Sequence, residues 1–339
     1  MSDIPIFEAE LVLECGNNLG EGVLWDAHAQ VVRWIDIDEP AVHSYDPSTG
    51  AYSVDAYAES AHLSNIALVK SNPEELVATI QHDIVILPAS KPTRQPSDVK
   101  PVVQKSLRTI AQPLSKPFST QKEVRFNDGG CDPRGRLFAG SMNIGEAKDN
   151  RSGELLRIDP DGTRTQILEP GTVGTSNGIG WSPDGKLMYY IDSGEPEVSV
   201  FDYDLETGTP SNRRTFAGKP PAMDELGTRG VFDGLCVDGV GNVWVARWRE
   251  RRIIGYTPEG KIFAYVKCPG ALLTTIPCFG GENLDTMYIA TARASRVGEK
   301  VEDYPASGHL FKMDFGPKSA IRKILGDNWK GADKHAFGI

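Results

Sequence analysis

Apolar and polar positions along this chain fall into short strand-like runs, without the long 3.6-residue periodicity of amphipathic helices. Val31-Val-Arg-Trp-Ile-Asp36, Arg136-Leu-Phe-Ala-Gly140, Leu187-Met-Tyr-Tyr-Ile-Asp192, Asn242-Val-Trp-Val-Ala-Arg247 and Thr286-Met-Tyr-Ile-Ala-Thr291 are rich in β-branched and aromatic residues, which suit a pleated, half-buried surface. Between the runs lie turn signals: Asp46-Pro-Ser-Thr-Gly50, Asp132-Pro-Arg-Gly135, Asp159-Pro-Asp-Gly162, Ser182-Pro-Asp-Gly185, Asp238-Gly-Val-Gly241 and Thr257-Pro-Glu-Gly260. The pattern predicts an all-β chain of many short antiparallel strands, and punctuation this regular calls for a search for repeats.

Aligned on the residue that opens each turn, six segments fall into register: LGEGVLWD, LSNIALVK, RFNDGGCD, TSNGIGWS, VFDGLCVD and LTTIPCFG. Their third positions are Glu21, Asn65, Asn127, Asn177, Asp233 and Thr275, none of them hydrophobic. Four residues further on come Trp25, Val69, Cys131, Trp181, Val237 and Phe279, apolar in every copy and suited to packing between neighbouring sheets. The starts are 44, 62, 50, 56 and 42 residues apart, close to the ~40–50 residues of a propeller blade. The expected fold is therefore a six-bladed β-propeller, read as a single domain over residues 1–339, in which the innermost strands line a central channel. Residues 89–121, Pro- and Ser-rich, are expected to form a long loop between blades. Ring closure is expected to pair Phe7–Leu13 with strands near His309–Met313.

Composition narrows the function. The chain has 339 residues and a formal net charge of −10, which disfavours nucleic acid and anionic membranes as partners. No apolar run reaches the ~18 residues of a membrane span. The opening MSDIPIFEAE lacks a basic segment followed by an apolar one, so a cytoplasmic location is expected. The five cysteines are scattered with no CxxC pair, and are expected to be reduced and mostly buried. The six histidines show neither HxH nor HExxH spacing, which argues against a histidine zinc site.

If the six register positions converge on the axis, two carboxylates (Glu21, Asp233) and three amides (Asn65, Asn127, Asn177) meet there. Carboxylates crowded in a low-dielectric channel are costly unless a cation neutralises them, and hard divalent ions take such oxygens as ligands. The blander alternative is that these residues only shape turns and strand ends; six copies in register weigh against it.

Gly20-Glu-Gly22 with Trp25, Arg125-Phe-Asn-Asp-Gly129, Phe138-Ala-Gly-Ser-Met142, Ser176-Asn-Gly178, Tyr189-Tyr-Ile-Asp-Ser193, Asp233-Gly-Leu-Cys236 and Cys278-Phe-Gly-Gly281 resemble the regucalcin and gluconolactonase family, also called the senescence-marker-protein family. The resemblance implies a six-bladed propeller that binds one divalent cation and hydrolyses sugar (aldono-) lactones to aldonic acids in carbohydrate catabolism. It implies Glu21, Asn177 and Asp233 as metal ligands, with Asn127 completing the shell directly or through water, and Arg125 and Asn127 as contacts to substrate hydroxyls. Asn65 is expected behind the ligands. The chain departs from the family pattern at Val23 and Phe232, where proline is usual, and after Gly140-Ser-Met142, where Asn143, Ile144 and Gly145 intervene before Glu146 and the family's substrate-contacting glutamate is not cleanly matched.

The expected chemistry is a lactonase reaction in which a cation polarises the carbonyl, water attacks, and Asp233 or alternatively Glu21 acts as general base. The ion is left open among Ca2+, Zn2+, Mn2+, Mg2+ and Fe2+. The substrate is a small sugar lactone, and the chain is expected to be a monomer or weak homo-oligomer. Two alternatives stand beside this: a non-catalytic calcium-binding regulatory protein, and an esterase or phosphotriesterase on the same propeller. A protein-binding platform is disfavoured, because the Trp-Asp repeat signature is missing.

Overall fold

The computed structural model describes residues 4–116, 118–145, 151–220 and 230–339. Six sheets stand side by side in chain order, each built on four antiparallel strands and two of them widened by a fifth, parallel strand, and each has one of the six register segments as its inner strand. These innermost strands are Gly20–Asp26, Leu63–Leu68, Val124–Cys131, Ser176–Trp181, Val231–Val237 and Leu273–Gly280. The sequence repeat thus maps one copy to one blade of an all-β, six-bladed propeller.

Apolar side chains fill the spaces between blades, as the repeat predicts. Trp25 of blade 1 stacks on Tyr288 of blade 6 at 6.2 Å between ring centroids, and Trp181 of blade 4 meets Phe138 of blade 3 edge-on at 5.3 Å. Val69, Cys131 and Phe279 are buried in equivalent contacts, and Val237 is partly buried. Burying an aromatic or branched side chain this way contributes about 1.5–3 kcal/mol each before entropy is counted. Among the described residues no helix is long and apolar enough to cross a membrane.

Closure differs in part from expectation. Glu10–Leu13 does pair with Leu310–Asp314 and completes blade 6, with Lys312 Nζ 3.0 Å from Glu10 Oε1. Ile6–Glu8 instead runs parallel to Ile262–Lys267 and adds a fifth strand to blade 5. Ala9 lies between the two short strands, so the N-terminus ties two blades rather than one.

The segment 89–121 is also more than a loop. Arg108–Ala111 forms the outer strand of blade 2, and Val102–Val103 runs parallel to the edge of blade 1. Outer strands of a propeller face solvent on one side, so a Pro- and Ser-rich stretch supplies them without a strong apolar signature.

A further element carries no strand pattern at all. Residues 329–339 cross the channel at the end where the inner strands finish. Trp329 is buried against Phe279 and Phe315, and its Nε1 donates to Asp238 Oδ2 at 2.6 Å. The Lys330 carbonyl accepts from Gly239 in blade 5, His335 bridges Cys131 in blade 3, and Phe337 pairs with Leu68 and Lys70 in blade 2. Replacing Trp329 with alanine is expected to cost about 3–5 kcal/mol, read as a lowered denaturant midpoint at unchanged slope. A shift below about 1 kcal/mol would show that this strap does not clamp the ring.

Candidate metal and substrate site

In every inner strand the pairing register slips by one residue at the axial position: Glu21 to Leu24, Leu63 to Asn65, Phe126 to Gly129, Ser176 to Ile179, Phe232 to Leu235 and Thr274 to Ile276. One extra residue on one strand is a β-bulge, which breaks alternation and re-aims a side chain. The residue after the axial one is glycine in blades 4 and 5, and a Cβ at Gly178 would lie 2.7 Å from Leu235 N, at Gly234 2.5 Å from the Ile276 Cβ. Neighbouring inner strands approach so closely at the axis that only hydrogen fits there.

Glu21, Asn127, Asn177, Asp233 and Arg125 are all buried at this level, none more than 8% exposed. Burial pushes the Glu21 and Asp233 carboxyls well above the ordinary range; the Asp233 and Asp128 charges add to the effect at Glu21, and Asp128 adds to it at Asp233. Two buried acids that resist ionisation, with a third carboxyl, Asp128, adding to both shifts, define a place where positive charge is wanted. Asn177 Nδ2 donates to Ser193 Oγ at 3.0 Å, and Ser193 in turn donates to the Phe232 carbonyl at 2.6 Å. That leaves the buried Asn177 Oδ1 with no hydrogen-bond partner, a costly omission in a dry site.

Asn127 is differently engaged: its Nδ2 donates to the Ser176 carbonyl at 2.8 Å, and its Oδ1 accepts from Arg125 Nη1 at 2.7 Å. Arg125 Nη1 also donates to the Phe126 carbonyl at 2.8 Å, while Nε is buried without a partner. Burial lowers the Arg125 guanidinium to about 10, with Glu21 opposing the shift, so it stays charged at neutral pH.

Of the other register positions, Asn65 reaches across to blade 3, donating to the Gly129 carbonyl at 2.9 Å and to Asp128 Oδ1 at 3.5 Å. Thr275 Oγ1 donates to the Gly20 carbonyl at 2.6 Å and ties blade 6 to blade 1. Neither offers a free oxygen ligand as clearly as Asn177. Glu146 lies outside the described residues.

Sequence reasoning passed over Asp128. Strict alternation places residue 128 on the opposite face from 127, but Asn127 and Asp128 share the bulge, and both carry buried polar side chains. Burial raises the Asp128 carboxyl too, partly offset by Lys334 and the Gly129 N–H. Lys334 belongs to the strap, which carries its positive charge toward the channel from the far end. There, a cavity of about 220 Å3 is walled by Trp25, Ile66, Ile179, Trp181 and Leu235 and covered by residues 332–335. It lies beyond the polar level along the inner strands and presents mainly apolar walls.

Among the described residues, no three His, Cys, Asp or Glu side chains are grouped to hold a metal, so a shell drawn from this set includes amide oxygen. Two carboxylates short of counter-charge and an unpartnered amide oxygen fit a hard divalent cation. Soft-metal ligands do not compete, because the four buried cysteines are held as thiols by burial.

Residues 19–293 match the family model described as SMP-30/Gluconolactonase/LRE-like region. The pentonolactonase XacC of Haloferax volcanii is 32% identical over 307 residues, covering 89% of this chain and 93% of that protein. Human regucalcin is 33% identical over 317 residues, covering 92% and 95%. Among solved structures, a luciferin-regenerating enzyme superposes with a TM-score of 0.79 at 26% identity, covering 98% of this chain and 99% of that one. A gluconolactonase from Xanthomonas campestris shares the fold, with a TM-score of 0.63 at 15% identity over 91% of this chain and 89% of that one. By the family match and the full-length relatives, this chain belongs to the SMP-30/gluconolactonase family.

Proposed function

We propose that this protein hydrolyses sugar lactones to aldonic acids at the axial site, with one divalent cation held by Glu21, Asn177 and Asp233 and with Asn127 beside them. The observation that carries the reading is the meeting of two carboxyls, raised by burial first and by neighbouring carboxyl charges second, with the unpartnered Asn177 Oδ1. The pentonolactonase relative supports the choice of lactone as substrate.

When bound, the cation supplies Lewis-acid polarisation of the ester carbonyl and lowers the pKa of water at the site. Asp233 takes a proton from the attacking water as the water oxygen bonds to the lactone carbonyl carbon. As the ring C–O bond breaks, that proton passes from Asp233 to the departing ring oxygen, leaving an open hydroxy acid. The acid then ionises and releases one proton to solvent. Glu21 is the second candidate for the base. Arg125 presents its unpartnered Nε and its charge to substrate hydroxyls or to the product carboxylate. Ser193 acts through Asn177 by accepting from its amide nitrogen, which fixes the orientation of the amide.

A panel of glucono-, galactono-, arabinono-, xylono- and rhamnono-lactones, run beside an aryl ester and a phosphotriester, distinguishes the bond classes. Lactones are expected to exceed both other classes in kcat/KM by at least about tenfold. Preference for the aryl ester or phosphotriester would assign the site to another ester hydrolase. Silence on all three with intact cation binding would favour a calcium-binding regulator.

A further inference from the structure

We propose that Arg296, Asp38 and His62 form a polyol-reading subsite at the mouth of the axial site, which holds the exocyclic hydroxyls of the sugar lactone. The inference rests on the lactonase reading and adds the part of the substrate that is selected.

The three residues come from three blades but converge at one end of the channel. Asp38 follows the strand Val31–Asp36, whose Ile35 and Asp36 pair with Glu21 and Gly20. His62 immediately precedes Leu63, the first residue of the blade 2 inner strand, whose N–H donates to the Ile37 carbonyl at 3.3 Å. Arg296 sits in the turn Ala294–Val297, directly after the strand that ends at Ala292, and Ala292 bridges Leu19 beside Glu21. The polar ends of the inner strands and these three side chains therefore share one face of the propeller.

Arg296 Nη1 is ion-paired with Asp38 Oδ2, and His62 Nδ1 stands 3.6 Å from Asp38 Oδ1. The Asp38 side chain is thus flanked on both oxygens, and its backbone is held as well: Asp36 Oδ1 accepts the N–H groups of Asp38 at 3.1 Å and Glu39 at 3.2 Å. The side chains of Arg296, Asp38 and His62 keep 26%, 21% and 16% of their surface, so they are braced yet reachable from the mouth. They also feel the axial site: the Glu21 charge acts on Arg296, and the Arg125 charge acts on His62.

The chemistry of the group selects its ligand class. Burial, with Arg125 second, pushes His62 down to about 4, so it is neutral in the physiological range, with its buried Nδ1 turned toward Asp38. Arg296 supplies fixed donors and Asp38 fixed acceptors, with zero net charge across the three. A hydroxyl both donates and accepts, and neighbouring hydroxyls on a sugar chain require donors and acceptors side by side. A phosphate or second carboxylate would instead need unpaired positive charge. The site thus reads a neutral polyhydroxylated chain.

Selectivity tests this directly, using glucono-1,5-lactone against δ-valerolactone, which has the same ring size and no hydroxyls. In Asp38→Asn and Arg296→Gln the KM ratio of glucono-1,5-lactone to δ-valerolactone is expected to rise about tenfold, one hydrogen-bonded contact's worth of binding. Mn2+ affinity measured by calorimetry is expected to stay within about threefold of wild type. His62→Leu, which leaves the ion pair in place, should shift the ratio in the same direction and carries the comparison if either other variant does not fold. Equal changes for both lactones, or none, would overturn the subsite while leaving the lactonase reading intact. A wild type that hydrolyses neither lactone would remove that reading and this subsite with it.

Discussion

Asp233→Asn is expected to lose lactone turnover by about 10²–10⁴-fold while making the cation-free protein more stable at neutral pH. The two effects have one cause. Asp233 is buried, and the Asp128 charge adds to the effect of burial in raising its carboxyl, so its ionised form is held against both desolvation and repulsion. An amide of the same shape removes that charge and relieves its neighbours, yet it cannot accept the proton of the attacking water. Initial rates on an aldonolactone, with thermal melts in excess EDTA, measure both. A variant that keeps more than about a tenth of wild-type kcat would remove Asp233 from the role of base and pass it to Glu21.

Stripping the cation is expected to make stability fall as pH rises. In the cation-free protein both Glu21 and Asp233 titrate above the ordinary carboxylate range. A carboxyl whose folded pKa is raised binds its proton more tightly in the fold than in the unfolded chain. Its contribution is full below the unfolded value of about 4 and is lost as pH climbs through the raised folded values. Adding a divalent cation at neutral pH reverses this by binding only the folded state, by about 2.7 kcal/mol at a hundredfold excess over Kd. Melting temperatures in EDTA across pH 5–8, repeated with each cation, should show the decline and its rescue. A cation-free melting point that rises over this range, or one unaffected by every ion, would contradict an axial pair short of positive charge.

How much of this could be read from the chain follows from what a repeat can encode. The polar residue at the start and the apolar one four places on recur because every blade needs a strand end at the axis and a side chain between sheets, and those two demands made the six blades legible. The same register brought Glu21, Asn127, Asn177 and Asp233 to one level. Asp128 stayed hidden because its inward position depends on a bulge, and alternation alone places it outward. The strap of residues 329–339 has no period to detect, since isolated bridges and carbonyl contacts hold it rather than a ladder. Arg296, Asp38 and His62 meet through three separate loops, and no local pattern announces such a meeting. Ile6–Glu8 escaped for a related reason: three residues are too few for a periodic signal, and their parallel partner lies more than 250 residues away.

The regular part of the fold and the irregular part divide the labour of the site. Bulged inner strands hold the axial oxygens rigidly, with glycines admitting the neighbouring backbone. The loops at the same end carry Asp38, His62 and Arg296 and provide selectivity, as loops on a rigid scaffold commonly do.

The account is tested most directly by following acid release from an aldonolactone by the purified protein in a pH-stat, first as isolated, then after EDTA, then with each divalent ion restored. It predicts turnover that EDTA abolishes and that a single ion per chain restores. Turnover that survives complete chelation, confirmed by metal analysis, would contradict it.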